Sequence, residues 1–221
     1  MRISVAIDGP AGAGKSTIAK LVAKKLGFVY VDTGSMYRAM ALYCIRNGVD
    51  KSDEKAVSLA CREMDIVVKY EDGIQLVLLN GEVVNDYIRT EEVSHVTSSI
   101  AVYESVREKL LNLQRELAKE YNVIMDGRDI GTNVLKDADV KIYLTASVDT
   151  RAKRRFLEHI EKGEECDIEE IKQDIIDRDY RDMNRKIAPL KQAEDAVLVD
   201  SSEMSIDEVV DAIVSIVNDK K

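Results

Sequence analysis

The sequence predicts an α/β protein: a five-stranded parallel sheet flanked by helices, carrying a small inserted β-meander and a two-helix segment. Three observations carry that prediction. Short β-branched segments alternate with amphipathic helical patterns along most of the 221 residues. The alternation breaks at 65–86, where consecutive strand patterns follow one another through turn sequences. It breaks again between Arg151 and Arg185, where two helical patterns around Gly163 have no strand between them.

The first strand pattern is Ile3-Ser4-Val5-Ala6-Ile7, which runs into a glycine-rich turn. From Lys15, apolar Ile18, Leu21, Val22 and Leu26 recur at helical spacing, and Gly27 is a stop signal. Phe28-Val29-Tyr30-Val31 is the second strand, so the first thirty residues form a βαβ unit with parallel strands. Further buried-type strands are expected at Val123–Met125, Val140–Leu144 and Ala196–Val199. In the meander, Glu71-Asp72-Gly73 and Asn80-Gly81 are the joins. The chain closes with a helix started by a Ser205/Glu208 capping box, with Ile206, Val209, Val210 and Ile213 as its buried stripe. The whole reads as one domain. It has a core (about 1–35, 105–150 and 186–221), an insert (about 36–104, with the meander at 65–86) and a two-helix segment (about 151–185).

Composition narrows the functional class. A hydrophobic fraction of 45% and a charged fraction of 33% suit a soluble globular protein. A net charge of −9 disfavours tracking of a nucleic-acid backbone. There is no long apolar run for a membrane span and no signal-peptide layout, so a cytoplasmic protein is expected. Cys44, Cys61 and Cys166 lack metal-ligand spacing and are read as reduced thiols. His95 and His159 show no catalytic pattern and are read as structural or surface residues. Basic residues concentrate between Arg151 and Lys191, which suggests a local anion site on an acidic protein.

Gly9-Pro10-Ala11-Gly12-Ala13-Gly14-Lys15-Ser16 matches the P-loop pattern G-x-x-x-x-G-K-[ST] at every fixed position, with a strand before it and a helix after. Glycines allow backbone N–H groups to turn inward around phosphate oxygens. Lys15 supplies charge to the β- and γ-phosphates, Ser16 a hydroxyl to Mg²⁺, and the helix N-terminus its dipole. Thr17 adds a further hydroxyl. The motif identifies an ATP donor site and leaves the acceptor open. No Asn-Lys-x-Asp guanine-reading motif is present, which argues against a GTP switch.

Two further motifs end strands at the ligand edge of such a sheet: Asp32-Thr33-Gly34-Ser35-Met36-Tyr37-Arg38 and Asp126-Gly127-Arg128-Asp129. A third lies at 178–185, Arg178-Asp179-Tyr180-Arg181-Asp182-Met183-Asn184-Arg185. With the P-loop run Ile7–Thr17, and with the second of them continuing through Ile130-Gly131-Thr132, these motifs resemble bacterial cytidylate kinases, P-loop nucleoside monophosphate kinases, over essentially the whole chain. The resemblance implies transfer of the γ-phosphoryl group of ATP, with Mg²⁺, to CMP or dCMP in pyrimidine nucleotide metabolism. It implies that Thr33 and Arg38 contact the acceptor phosphate, with Tyr37 in the same CMP-binding motif and Arg128 reaching that phosphate. Asp129, Ser98 and Arg107 would read the cytosine. Thr33 stands where many members have Ser, and the hydroxyl is kept.

Periodicity gives an independent indication. Ile168, Ile171 and Ile175 form an apolar stripe that, continued at the same spacing, meets Arg178, Asp182 and Arg185. Charges on a core-facing stripe are expensive to bury, so this stretch is expected to line a ligand site, although an exposed salt-bridge ladder has the same spacing. By the resemblance, Arg178 and Asp182 hold ribose hydroxyls or phosphate and Arg185 the transferring phosphates. The resemblance also implies that the insert at about 36–104 binds the acceptor nucleotide and that about 151–185 is a helical lid, from which Arg151 would pack over the donor adenine and Arg155 would reach the phosphates. Lys15, Arg128, Arg155 and Arg185 form the expected catalytic set. A P-loop kinase for UMP, AMP or a metabolite is the alternative, and a nucleotide-binding ATPase or regulatory module is a more distant one. The expected partners are ATP and CMP or dCMP, with no nucleic acid, no membrane and a monomeric chain.

Overall fold

A computed structural model describes residues 2–71 and 73–220. It is an α/β fold whose five-stranded parallel sheet has the order β2-β6-β1-β7-β8 and is flanked by helices. A separate three-stranded antiparallel sheet has the order β3-β4-β5. The chain forms two compact units, one of residues 1–30 with 122–221 and one of residues 31–121. The helix at 104–120 packs with helices of the second unit, and the helices within 148–184 belong to the first.

In the first unit, β1 (Ser4–Asp8) lies between β6 (Val123–Gly127) and β7 (Val140–Thr145), with Ala6 opposite Met125 and Lys141. β1 and β6 are apolar over most of their length because both faces are covered, whereas β7 carries Lys141, buried and paired with Asp195 at 2.8 Å. β8 (Val197–Asp200) pairs only with β7 and stands at the sheet edge, which leaves Val197 and Leu198 exposed. Helix α1 (Lys15–Leu26) packs Ile18, Ala19 and Val22 into a core with Val209, Val210, Ile213 and Val217 of α8 (Ile206–Asn218). Gly27 caps α1 in the left-handed conformation, and the Ser205/Glu208 capping box is formed at the start of α8. Ile206 itself is exposed, so the buried stripe of α8 begins at Val209.

The segment expected to be a lid is an antiparallel pair, α6 (Val148–Glu161) and α7 (Ile168–Asn184), with Gly163 left-handed in the turn. Its small core is Ala152, Ile171 and Ile175. Ile168 is exposed, because it is the first helical residue after the Asp167 cap. The buried line therefore runs Ile171, Ile175, Asp179, a strict i+4 row, and leaves Arg178 only partly covered.

β2 (Val29–Asp32) leads into the second unit, where α2 (Thr33–Arg46) packs against α3 (Glu54–Glu63), α4 (Glu91–Ile100) and α5 (Glu104–Glu120). Its meander is β3 (Ile66–Glu71), β4 (Ile74–Leu79) and β5 (Glu82–Val83). Leu79 pairs with Glu82, so Asn80-Gly81 is a two-residue hairpin loop, and φ of 50° and 86° there meets the demand of a type I′ turn. Asp72 of the other join lies outside the described residues.

Candidate active site

In the first unit, the phosphate loop is shaped by close backbone approach. A Cβ on Gly9 would stand 1.9 Å from the carbonyl oxygen of Leu144, so only glycine fits against β7. Gly14, left-handed at φ 82°, is the N-cap of α1. Lys15 is buried, and its Nζ donates to the carbonyl of Pro10 at 2.7 Å. Burial and the nearby Arg128 charge hold its pKa well below the usual lysine value. Ser16 donates to Asp126 at 2.7 Å, and Tyr30 donates to the other oxygen of the same carboxylate at 2.9 Å. Asp8 accepts the N–H groups of Ile130 and Gly131 at 2.8 and 2.7 Å. A one-turn π-helix at Ile130–Val134 presents those two donors.

Arg128, Asp129, Asp182 and Arg185 come together as one network. Arg128 pairs with Asp182 at 2.9 Å, Arg185 with Asp129 at 3.1 Å, and Arg185 with Asp182 at 3.8 Å. Burial works to raise the pKa of Asp182, but Arg128, then Arg185 and Arg178, outweigh it and keep the carboxyl below its usual range. The sequence motifs at 126–129 and 178–185 thus form a single cluster, with Arg178 contributing through its field. An arrangement of three cationic and two anionic side chains suits a polyanionic ligand, which offers the guanidinium groups alternative partners.

The three lid arginines diverge. Arg151, expected to pack over the donor base, is buried beneath the loop. It donates to the carbonyls of Ala146 and Ala11 at 3.0 and 2.9 Å and pairs with Asp179 at 2.7 Å. Arg155 pairs with Asp174 at 2.6 Å across α6 and α7. Arg154 is held by Ser201, and its guanidinium is 3.9 Å from where a Gly14 Cβ would lie. Asp126, Asp179 and Arg154 receive no site role from the sequence. The i+4 row from Ile171 through Ile175 to Asp179 was the available signal for the second of these.

In the second unit, Asp32 ends β2 and caps α2 by accepting the Ser35 N–H at 3.0 Å. Thr33 is buried at the first position of that helix, and Tyr37 and Arg38 follow one turn on, both partly buried. A Cβ on Gly34 would meet the Arg38 guanidinium at 3.0 Å, so Arg38 folds back over the turn. Arg107 of α5 is buried, donates to the carbonyl of Ala101 at 3.2 Å and lies 5.7 Å from the centre of the Tyr37 ring. Ser98 of α4 donates to the Ser94 carbonyl at 3.2 Å. Of the residues assigned to the base, Ser98 and Arg107 belong to this unit and Asp129 to the first.

A glycine loop entering a helix N-terminus, with arginines clustered from the end of β6 and the C-terminal end of α7, defines a P-loop phosphotransferase. Solved structures agree on the fold: shikimate kinase from Bacteroides thetaiotaomicron superimposes with a TM-score of 0.50 at 15% identity, covering 98% of each chain. A protein from Eubacterium ventriosum reaches 0.55 at 12% identity, covering 98% of this chain and 99% of its own. The chain belongs to the cytidylate kinase family, whose model matches residues 5–219. Cytidylate kinase from Lactobacillus johnsonii is 52% identical over 219 residues, 99% of this chain and 95% of that protein. The Caldicellulosiruptor bescii enzyme is 49% identical over 215 residues, 97% and 95% of the two chains.

Proposed function

We propose that the chain phosphorylates CMP and dCMP with ATP, forming CDP or dCDP and ADP, through the residues assembled above. An oxygen of the acceptor phosphate bonds to the γ-phosphorus of ATP as the bond from that phosphorus to the β–γ bridging oxygen breaks. The acceptor phosphate is already an anionic nucleophile, so no general base is needed. The protein's task is positioning and charge. In this reading, the loop Gly9–Thr17 cradles the donor phosphates and Lys15 exchanges the Pro10 carbonyl for phosphate oxygen. Arg128 and Arg185 exchange their carboxylate partners in the same way. Arg155 joins them if the Asp174 pair opens. Thr33 and Arg38 bind the acceptor phosphate, with Tyr37 beside them, and Arg178 and Asp182 bind ribose or phosphate.

Mg²⁺ fits the donor set: Ser16 and Asp126 offer adjacent hard oxygen ligands at the loop. Bound with ATP, it would neutralise charge on the β- and γ-oxygens. The family membership and the Arg128–Asp182–Arg185–Asp129 network carry this proposal. Ser98, Arg107 and Asp129 supply the donors and acceptors that cytosine requires. UMP replaces the exocyclic amine by a carbonyl and leaves acceptors unpaired, at a cost of about 1–3 kcal/mol. No helix among the described residues is long and apolar enough to cross a membrane. We read the enzyme as a cytoplasmic monomer of pyrimidine nucleotide metabolism that binds neither nucleic acid nor membrane.

An acceptor panel tests the assignment. ADP formation from ATP–Mg²⁺ is expected to rise with CMP and dCMP far more than with UMP, AMP or GMP, and to stop when the metal is chelated. Equal stimulation by UMP and CMP would remove the cytosine assignment and leave the fold untouched.

A further inference from the structure

The meander is far from the glycine loop in sequence, yet one of its side chains is bonded to the acceptor motif. Gln75 of β4 uses its whole amide on the start of α2. Its Oε1 accepts the Asp32 N–H at 2.8 Å, and its Nε2 donates to the Asp32 carbonyl at 3.1 Å and to Ser35 Oγ at 2.8 Å. Only this amide orientation works, because a flipped group would set N–H against N–H and oxygen against oxygen. The side chain thereby pairs with Asp32 on both its N–H and its C=O, as a neighbouring strand would.

Gln75 is itself held. Asn85 donates to its backbone carbonyl at 2.8 Å and accepts the Val77 N–H at 2.8 Å, continuing the ladder beyond the short β5. Asp32, on the receiving side, is fixed again by Arg89 at 2.8 Å and by the Ser35 N–H. Two residues of the insert, Gln75 and Arg89, thus hold Asp32 and Ser35, the residues that flank Thr33 and Gly34.

We propose that Gln75 is a positioning residue for the acceptor phosphate, and that locking the Asp32–Ser35 turn under Thr33 and Arg38 is a function of the inserted meander. This rests on the assignment of Thr33 and Arg38 to that phosphate. The role differs from packing, because it depends on the Nε2 donor and not on side-chain shape. Glutamate at 75 keeps the shape but sets a carboxylate oxygen against the Asp32 carbonyl, whereas leucine only deletes the bonds.

The test compares Gln75→Glu, Gln75→Leu and Thr33→Ala in the full chain. It reads KM for CMP, KM for ATP, inhibition by cytidine, which lacks the phosphate, and melting temperature. Gln75→Glu is expected to raise KM for CMP by about tenfold or more, with Gln75→Leu milder, since small misplacements of a binding group cost at least that much. KM for ATP and the cytidine inhibition constant should stay within about twofold. Parallel weakening of CMP and cytidine, a milder effect for glutamate than for leucine, or no effect of either variant overturns the proposal. If Thr33→Ala leaves CMP binding unchanged, the phosphate assignment itself fails, and the inference falls with it.

Discussion

The carboxylate of Asp179 lies 2.7 Å from the guanidinium of Arg151, and the two side chains grip opposite ends of one loop residue. Arg151 donates to the Ala11 carbonyl, while Asp179 accepts the Ala11 N–H at 3.3 Å. A lid segment of two helices is thereby tied to the glycine loop through a buried ion pair.

Removing one member of that pair should be costly. Asp179→Ala leaves the Arg151 charge buried without its carboxylate and is expected to destabilise the protein by about 3–5 kcal/mol. The double variant Arg151→Met, Asp179→Leu should recover much of that loss while still binding ATP poorly. Urea denaturation and calorimetry with ATP measure the two effects separately. An Asp179→Ala variant of unchanged stability would mean that the pair is not bearing on the loop.

Stability should also depend on the protonation of Asp8. Burial pushes its carboxyl up to about 6, against the pull of the Gly131 and Ile130 N–H groups. A carboxyl with a raised folded-state pKa holds its proton more tightly in the native protein. Its contribution is complete below the ordinary value of 3.8 and is lost as pH rises through about 6. The loss is on the order of 3 kcal/mol. Denaturation midpoints should therefore fall across this window more steeply for the wild type than for Asp8→Asn. Identical pH slopes would contradict the assignment.

Two glycines with positive φ should differ sharply in the cost of substitution. Gly9→Ala forces a Cβ into the Leu144 carbonyl and is expected to abolish ATP binding and destabilise by more than about 3 kcal/mol. Gly27→Ala meets nothing within 4 Å and pays only the left-handed backbone cost, about 1 kcal/mol. Thermal denaturation of both variants checks the contrast.

On the acceptor side, Arg38→Ala should lower turnover with CMP by about a hundredfold, as expected for loss of a preorganised charge, and leave the ATP dissociation constant within about twofold. Loss of ATP affinity of comparable size would show that Arg38 serves the donor instead. Single-turnover kinetics with CMP and calorimetry with ATP separate these outcomes.

Much of this architecture was legible before any coordinates. The β1–α1–β2 rhythm, the Gly27 stop, the Asn80-Gly81 turn and the Ser205/Glu208 box depend on interactions within a few residues, where sterics and periodicity decide the outcome. Arg128, Asp129, Asp182 and Arg185 belong to two separated motifs, and the structure brings them into one network. In the apolar stripe of α7, Ile168 is exposed by the Asp167 cap, and the buried row runs on from Ile175 to Asp179, a residue to which periodicity assigned no place.

What the sequence by itself determined was the set of elements, the phosphate loop and the ordered motifs of a cytidylate kinase family member. Only the tertiary structure decided partners. Arg151, Arg154 and Arg155 are nearly adjacent in the chain, yet one lies beneath the loop, one beside Gly14 and Ser201, and one against Asp174. Asp8 finds its donors at Ile130 and Gly131, and Asp32 finds Gln75, across separations no local pattern encodes. Local conformation is set by a residue's neighbours in sequence, whereas a buried charge takes whichever counter-charge the packing of distant elements brings within reach.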